Sequence, residues 1–322
     1  RAIPAFALPV ALTGILEQMS SLIDTMMVGH LSGEAGPAAM AAVGSNTPIT
    51  SLLLNLFIGI ALGTNVVIAN AIGSGDERTV HKAVHSSVTF AVVGIAVTVV
   101  GELIAEPLLH LLSVLFIPVM GWGVAGAAAA TAISYTVSAL ILFVRLTRID
   151  APIRLNPREL GIDRAVLARV VRIGLPAGLQ SAVFSLANIV IQACINSLGT
   201  EVMAASSAVI SLEYVVYNLL NSFSQACTTF VGQNFGAGNV RRCKRVLLVS
   251  LAEAEVAQLV VLAILLGLGH QIVAAFNPDP MVVSLGYLRI CVLFPSYMFS
   301  MAYENMSGYL RGFGISLPPA II

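Results

Sequence analysis

Eight stretches of this chain are each long and apolar enough to cross a bilayer, at approximately 3–28, 47–72, 83–112, 122–146, 168–197, 203–231, 241–269 and 281–312. A ninth opens at Ser316. A hydrocarbon core takes about 20 apolar residues per helix. Stretches of this length are too long for barrel strands, and backbone in lipid must satisfy its own hydrogen bonds, so they read as helices. Only 10% of the 322 residues are charged, against about 25% in soluble domains. So little charge cannot cover a water-facing surface, and the expected class is an all-α polytopic membrane protein. Cys194, Cys227, Cys243 and Cys291 stand singly, with neither a disulfide framework nor metal-ligand spacing. The first apolar run continues as a span rather than ending as a cleavable signal peptide. Arg1 in place of Met, and the apolar stretch Leu317 to Ile322, read as cut ends.

Basic residues orient the spans. Arg1 precedes the first, Arg78 and Lys82 lie between the second and third, and seven arginines from Arg145 to Arg172 fill the middle connection. Arg241, Arg242, Lys244 and Arg245 follow the sixth span, and Arg311 ends the eighth. With simple alternation, 15 of the 16 basic residues fall on one side, Arg289 being the exception. Both visible ends are therefore expected in the cytoplasm, in a multi-pass protein of the plasma membrane.

The second half repeats the first. Residues 40–113 align on 203–276 at a constant offset of 163, matching Met40-Ala41-Ala42 with Met203-Ala204-Ala205 and Asn55-Leu56 with Asn218-Leu219. Gly73-Ser74-Gly75 falls on Gly236-Ala237-Gly238, and Arg78 on Arg241. Upstream, Leu8-Pro9 matches Leu175-Pro176 at an offset of 167. Both copies start from the cytoplasm, so they are parallel repeats about an axis along the membrane normal, an arrangement found in carriers that alternate access around a central cleft. The expected units are a lobe over 1–147, a cytoplasmic linker over 148–167 and a second lobe over 168–322. Leu160, Val166, Leu167 and Val170 among arginines predict a short interfacial helix in the linker.

The run Leu22-Ile23-Asp24-Thr25-Met26-Met27-Val28-Gly29-His30-Leu31, with Ala41-Ala42-Val43-Gly44 beyond it, resembles the first span and loop of the multidrug and toxic compound extrusion (MATE) family. Gly121-Trp122-Gly123-Val124-Ala125-Gly126-Ala127-Ala128 and Val231-Gly232-Gln233-Asn234-Phe235-Gly236-Ala237-Gly238 extend the resemblance over essentially the whole chain. It implies two six-helix lobes and export of small amphipathic organic cations in exchange for protons or sodium, with no other cofactor. The chain departs from the family pattern in lacking the fourth and most of the fifth span, and the last two. After Ser113 the first half continues differently from the second after Phe276, which places an absent helix pair at roughly 114–115. The expected partners are small organic substrates and membrane lipid, not nucleic acid, for a monomer of zero net charge.

Ionisable groups inside a membrane mark pathways or partners. Asp24 lies seven residues after Glu17, so both carboxylates project from one helix face, and desolvation should raise a carboxyl pKa there into an exchangeable range. The resemblance also places a cation-linked acid at Asp24; a structural hydrogen-bonding acid is the plainer alternative. Ser181, Ser185, Asn188, Gln192 and Asn196 form a polar stripe beside Gln180, readable equally as cavity lining or as helix–helix glue. Some family members carry a glutamate near where Phe184 stands. Tyr214, Tyr217, Asn218, Asn221 and Gln225 make a second stripe, suited to organic cations through aromatic faces, with a purely structural role as the alternative for each residue taken singly. Glu304, flanked by Tyr303 and Asn305, is the expected second-lobe acid. Glu102, Glu106, Glu253 and Glu255 have no partner on their own faces.

His81 and His85 are four apart with no third ligand nearby in sequence, and read as the wet start of a span rather than a metal site. The Gly73 and Gly236 clusters follow no strand, so they read as helix-ending turns, not phosphate loops. No catalytic or ATPase motif appears. The leading reading is a secondary antiporter. A lipid-linked oligosaccharide flippase, a membrane enzyme and an inactive fragment are the alternatives. The flippase should place arginines in its cleft, where only Arg289 comes close.

Overall fold

The computed structural model describes residues 3–13, 55, 57–91, 140–141, 143–149, 153–277 and 279–321. Its helices are α1 (Ile3–Thr13), α2 (Phe57–Ser74), α3 (77–91), α4 (143–148), α5 (Arg164–Asn196), α6 (Thr200–Gly236), α7 (Val240–Phe276), α8 (Pro280–Gly312) and α9 (Leu317–Ile321). A 3-10 turn, Pro157–Glu159, is the only other regular element among the described residues. Five of these helices, α2 and α5 to α8, are long and apolar enough to span. The fold is all-α, as expected.

Local chemistry sets the helix limits. Asp163 caps α5 by accepting from the amides of Ala165 and Val166. Asp279 caps α8, with Pro280 supplying the first turn, where no amide partner is needed. α2 and α6 end on Gly75 (φ +71°) and Gly238 (φ +75°), left-handed residues that let the chain close a C-terminal cap. The Asp76 amide then donates to the Ala71 carbonyl (2.9 Å), and the Asn239 amide to that of Asn234 (2.7 Å). Both bonds are related by the same offset of 163 that relates the sequences.

In lipid no hydrophobic force drives helices together, so close packing of small residues and polar bonds must do it. In the second lobe, α6, α7 and α8 enclose Val209, Leu220, Leu265, Val273, Ile290, Phe294 and Met301. Small residues and hydroxyls finish the contact. Ser224 Oγ donates to the Glu304 carbonyl (2.8 Å), Thr228 Oγ1 to that of Gly308 (3.0 Å), and Gln258 Nε2 to that of Phe294 (2.9 Å).

Between the halves, contacts come in repeat-related pairs. α2 lies against α5, where a Cβ on Gly59 or Gly63 would strike the backbone of Gly174, Gly178 or Val170. α1 lies against α6, with Ile3 and Ala7 packed on Ala226 and Phe6 edge-on to Phe230 at 5.9 Å. Ala7 corresponds to Gly174 at the upstream offset of 167, and Ala226 to Gly63 at 163. The two seams are therefore the same contact made twice.

The linker differs from its expected form. Among its described residues it holds no separate interfacial helix: Val166, Leu167 and Val170 belong to α5, and Leu160 lies outside any helix. The Asp163 cap starts α5 early, and its first turns are buried, Val166 and Val170 packing on Val66, Val67 and Ala83. Upstream, Leu155 is buried against Ala71, Val80 and Val84, and the Asp163 carboxylate pairs with Lys82 at 2.6 Å.

Candidate functional site

Helix ends that are repeat equivalents meet across the axis. A Cβ on Gly73 would overlap the Gln233 carbonyl, and one on Gly236 would overlap the Asn70 carbonyl. Gly73 is equivalent to Gly236, and Asn70 to Gln233. The contact is self-complementary, like a two-fold interface between identical subunits. Asn65 Nδ2 adds a bond to Thr229 Oγ1 (3.0 Å), while Asn70 Oδ1 is buried without a partner.

The face of α6 that closes on α2 carries Thr229, Gly232 and Gly236. Continued outward at helical spacing, it carries Gln225, Asn221, Tyr217 and Tyr214. Tyr214 and Tyr217 are 46% and 42% exposed, so this face opens where the lower seam ends. The expected second stripe thus shares one helix face with the seam residues Thr229, Gly232 and Gly236. Asn218 turns instead to its own helix, donating to the Tyr214 carbonyl (2.9 Å).

The α5 stripe continues the α2 seam in the same way, above Val170, Gly174 and Gly178. Ser185 accepts from Asn55 Nδ2 (2.9 Å), which makes it an inter-lobe fastening. Ser181 donates to the Ala177 carbonyl (3.2 Å), and Gln192 to Asn196 Oδ1 (2.8 Å). Asn188 is exposed. Gln180 lies off this stripe and is buried. Its Nε2 donates to Tyr303 Oη (2.6 Å) and the Pro319 carbonyl (3.1 Å), and its Oε1 accepts from Arg311 Nη2 (3.3 Å). Arg311 Nη1 in turn pairs with Glu304 Oε1 at 3.0 Å. The second-lobe acid is therefore arginine-paired, inside a network that ties α8 to α5 and α9.

Sequence reasoning missed Arg311 as the partner of Glu304, although seven residues is two helical turns and puts both on one face. It also missed the partner of Arg289, which pairs with Glu213 at 2.8 Å between α8 and α6. That pairing joins two helices and no sequence spacing signals it. Asp24, Glu17 and the stretch around 114–115 lie outside the described residues.

Where it meets α3, the linker brings Glu159 to within 3.3 Å of His81 Nε2, the third group that was not expected there. Ligand atoms of His81, His85 and Glu159 all lie within 4.8 Å of one another. Both His85 nitrogens are occupied, however: Nδ1 bonds the His81 carbonyl (2.8 Å) and Nε2 accepts the Asn156 amide (3.0 Å). The cluster docks the linker on α3.

Spanning helices packed across repeat-related seams define a polytopic α-helical membrane architecture. The family model MatE matches residues 9–139 and 176–322. The chain belongs to the MatE family. It is 24% identical to the probable multidrug resistance protein YoeA of Bacillus subtilis, over 100% of this chain and 83% of that protein. It is also 24% identical to the probable multidrug resistance protein NorM of Thermotoga maritima, over 98% and 80% of the two chains. A third relative at 24%, over 85% of this chain and 73% of its own length, is the FAD transporter of Shewanella oneidensis. The YoeA alignment extends over 387 positions against the 322 residues here, so that relative carries residues opposite gaps in this chain. Among solved structures, a MATE crystal structure in complex with MaL6 has a TM-score of 0.86 at 20% identity, covering 99% of this chain and 84% of that one. An outward-facing MATE transporter of the MOP superfamily has a TM-score of 0.83 at 18% identity, covering 100% and 84%.

Proposed function

We propose that this chain forms the carrier of an ion-coupled exporter that moves small amphipathic organic compounds, cations foremost, outward across the plasma membrane by alternating access. The observation that carries the reading is the self-complementary seam of Gly73 and Gly236, with Tyr214 and Tyr217 exposed farther along the same α6 face, which we read as one wall of a polar cleft. Closed at one end and open at the other, this is one of the two states a carrier must adopt. The other is reached when the seam parts. A proton or sodium ion is the coupling ion this reading needs.

The units are a lobe over 1–147, a linker over 148–167 and a second lobe over 168–322, with both visible ends in the cytoplasm and the chain acting as a monomer. The aligned relatives' extra residues belong, in this reading, to a helix pair at 114–115; relatives that match without a break across Val114 and Leu115 would remove it.

Two observations favour this exporter over a flippase of pyrophosphate-linked lipids. Arg289 and Arg311, the two arginines of α8, are each paired with a glutamate. An anionic headgroup in the cleft would have to break such a pair, leaving a buried charge uncompensated.

Coupling is assigned to Asp24, with Glu17 on the same face and Glu304 in the second lobe. Asp24→Asn should abolish gradient-driven efflux in reconstituted vesicles while leaving substrate binding measurable, because the amide keeps the shape and polarity of the carboxyl. Normal efflux by Asp24→Asn under a proton or sodium gradient would make Asp24 structural and remove it from the mechanism.

A further inference from the structure

A cavity of about 380 Å³ lies where the end of α2, the start of α5, the end of α6 and the α8–α9 turn converge. Its lining includes Asn70, Ser74, Arg169, Arg172, Gly236 and Gly314. It therefore sits directly beside the Gly73–Gly236 seam and is walled by both lobes.

Arg169 and Arg172 supply its charge. Neither guanidinium pairs with a carboxylate among the described residues, unlike Arg289 and Arg311. Two unpaired guanidinia three residues apart on one helix point to an oxyanion, for which arginine is the fitting donor. Asp76, the acid in the lining, accepts from the Thr79 hydroxyl at 2.6 Å and the Thr79 amide at 3.0 Å and stays charged, so it offsets one guanidinium and leaves the lining net positive. The buried Asn70 Oδ1, which has no donor, offers an acceptor for a hydroxyl-bearing ligand.

Lipid, rather than a soluble anion, is favoured by what continues from the arginines. Leu179, Val183 and Leu186 follow Arg172 at helical spacing and are 55%, 64% and 51% exposed. A headgroup held by Arg172 would leave its acyl chains along that apolar strip.

We propose that this cavity binds the phosphate headgroup of an anionic phospholipid from the leaflet on the arginine side. Arg169 and Arg172 hold the phosphodiester oxygens, and the headgroup bridges the two lobes while the seam is closed. By linkage, such a lipid stabilises the closed seam by as much as it prefers it. The site is independent of the exported substrate, and its test uses no transport assay.

Purified full-length chain is equilibrated with phosphatidylglycerol, phosphatidylcholine or inorganic phosphate, and retained lipid is counted by native mass spectrometry. The wild type should retain phosphatidylglycerol in preference to phosphatidylcholine. The R169Q/R172Q double variant should lose retention by about tenfold or more, as expected when two charge-assisted contacts are removed. A control variant, R241Q/R242Q, whose arginines are exposed and outside the cavity, should retain it. Equal retention by both double variants would overturn the site. Displacement of phosphatidylglycerol by millimolar inorganic phosphate would overturn the lipid and leave a soluble-anion site.

Discussion

At the scale of single residues, one side chain often serves two structural ends. Asp163 caps α5 through its carboxylate and pairs with Lys82 at 2.6 Å, while its amide donates to Ser86 Oγ at 2.9 Å. The Lys82 bond, followed by the Val166 amide, holds the Asp163 carboxyl below the usual carboxylate range. A lowered folded-state value contributes stability that is present above the unfolded value, near 3.9, and is lost as pH falls through the folded one. Linker docking should therefore persist down through the ordinary carboxylate range and fail only in stronger acid. Limited proteolysis of 148–163 across pH checks this. Asp163→Asn keeps the cap but should release the linker at neutral pH, and equal protection of variant and wild type would refute the assignment. His85 shows the same economy: its two nitrogens fix the Asn156 backbone and its own helix, so a histidine pair readable as a metal site becomes a clasp.

At the scale of helices, the seam between α2 and α6 depends on two positions without a Cβ. A methyl group on either would drive into backbone, which cannot rotate aside as a side chain can. Overpacking of this kind costs about 1–3 kcal/mol, and a bias of about 1.4 kcal/mol shifts a two-state equilibrium tenfold. Gly73→Ala and Gly236→Ala should each raise the reactivity of a cysteine placed at Ala69, 2% exposed in the closed state, towards a thiol reagent added from the cytoplasmic side. The rise should be about tenfold. The two variants should act alike, because the contact is symmetric. If one opens the seam and the other does not, the two glycines are not equivalent parts of a gate.

At the scale of the whole molecule, the alternation of α5 to α8 carries the orientation. Glu201 opens α6 and Asn239 precedes α7, at opposite ends of α6. In a background without native cysteines, Glu201→Cys should react with an impermeant thiol reagent in intact cells, and Asn239→Cys should not. The reverse pattern would invert the topology. The sequence by itself determined the described spans and the repeat, because lipid penalises every uncovered charge and backbone group and so leaves those facts in composition, periodicity and offset. It marked Tyr214, Tyr217, Asn221 and Gln225 as one face, since helical spacing is local. It mispredicted a linker helix that the Asp163 cap absorbs into α5. It could not find the Glu213–Arg289 pair, the Asn55–Ser185 fastening or the Gln180 network, each of which joins residues far apart in the chain. Only the tertiary structure decided that Glu304 is paired rather than free, and that the two glycine clusters meet each other. Both depend on how helices cross, which packing geometry sets and no single helix records.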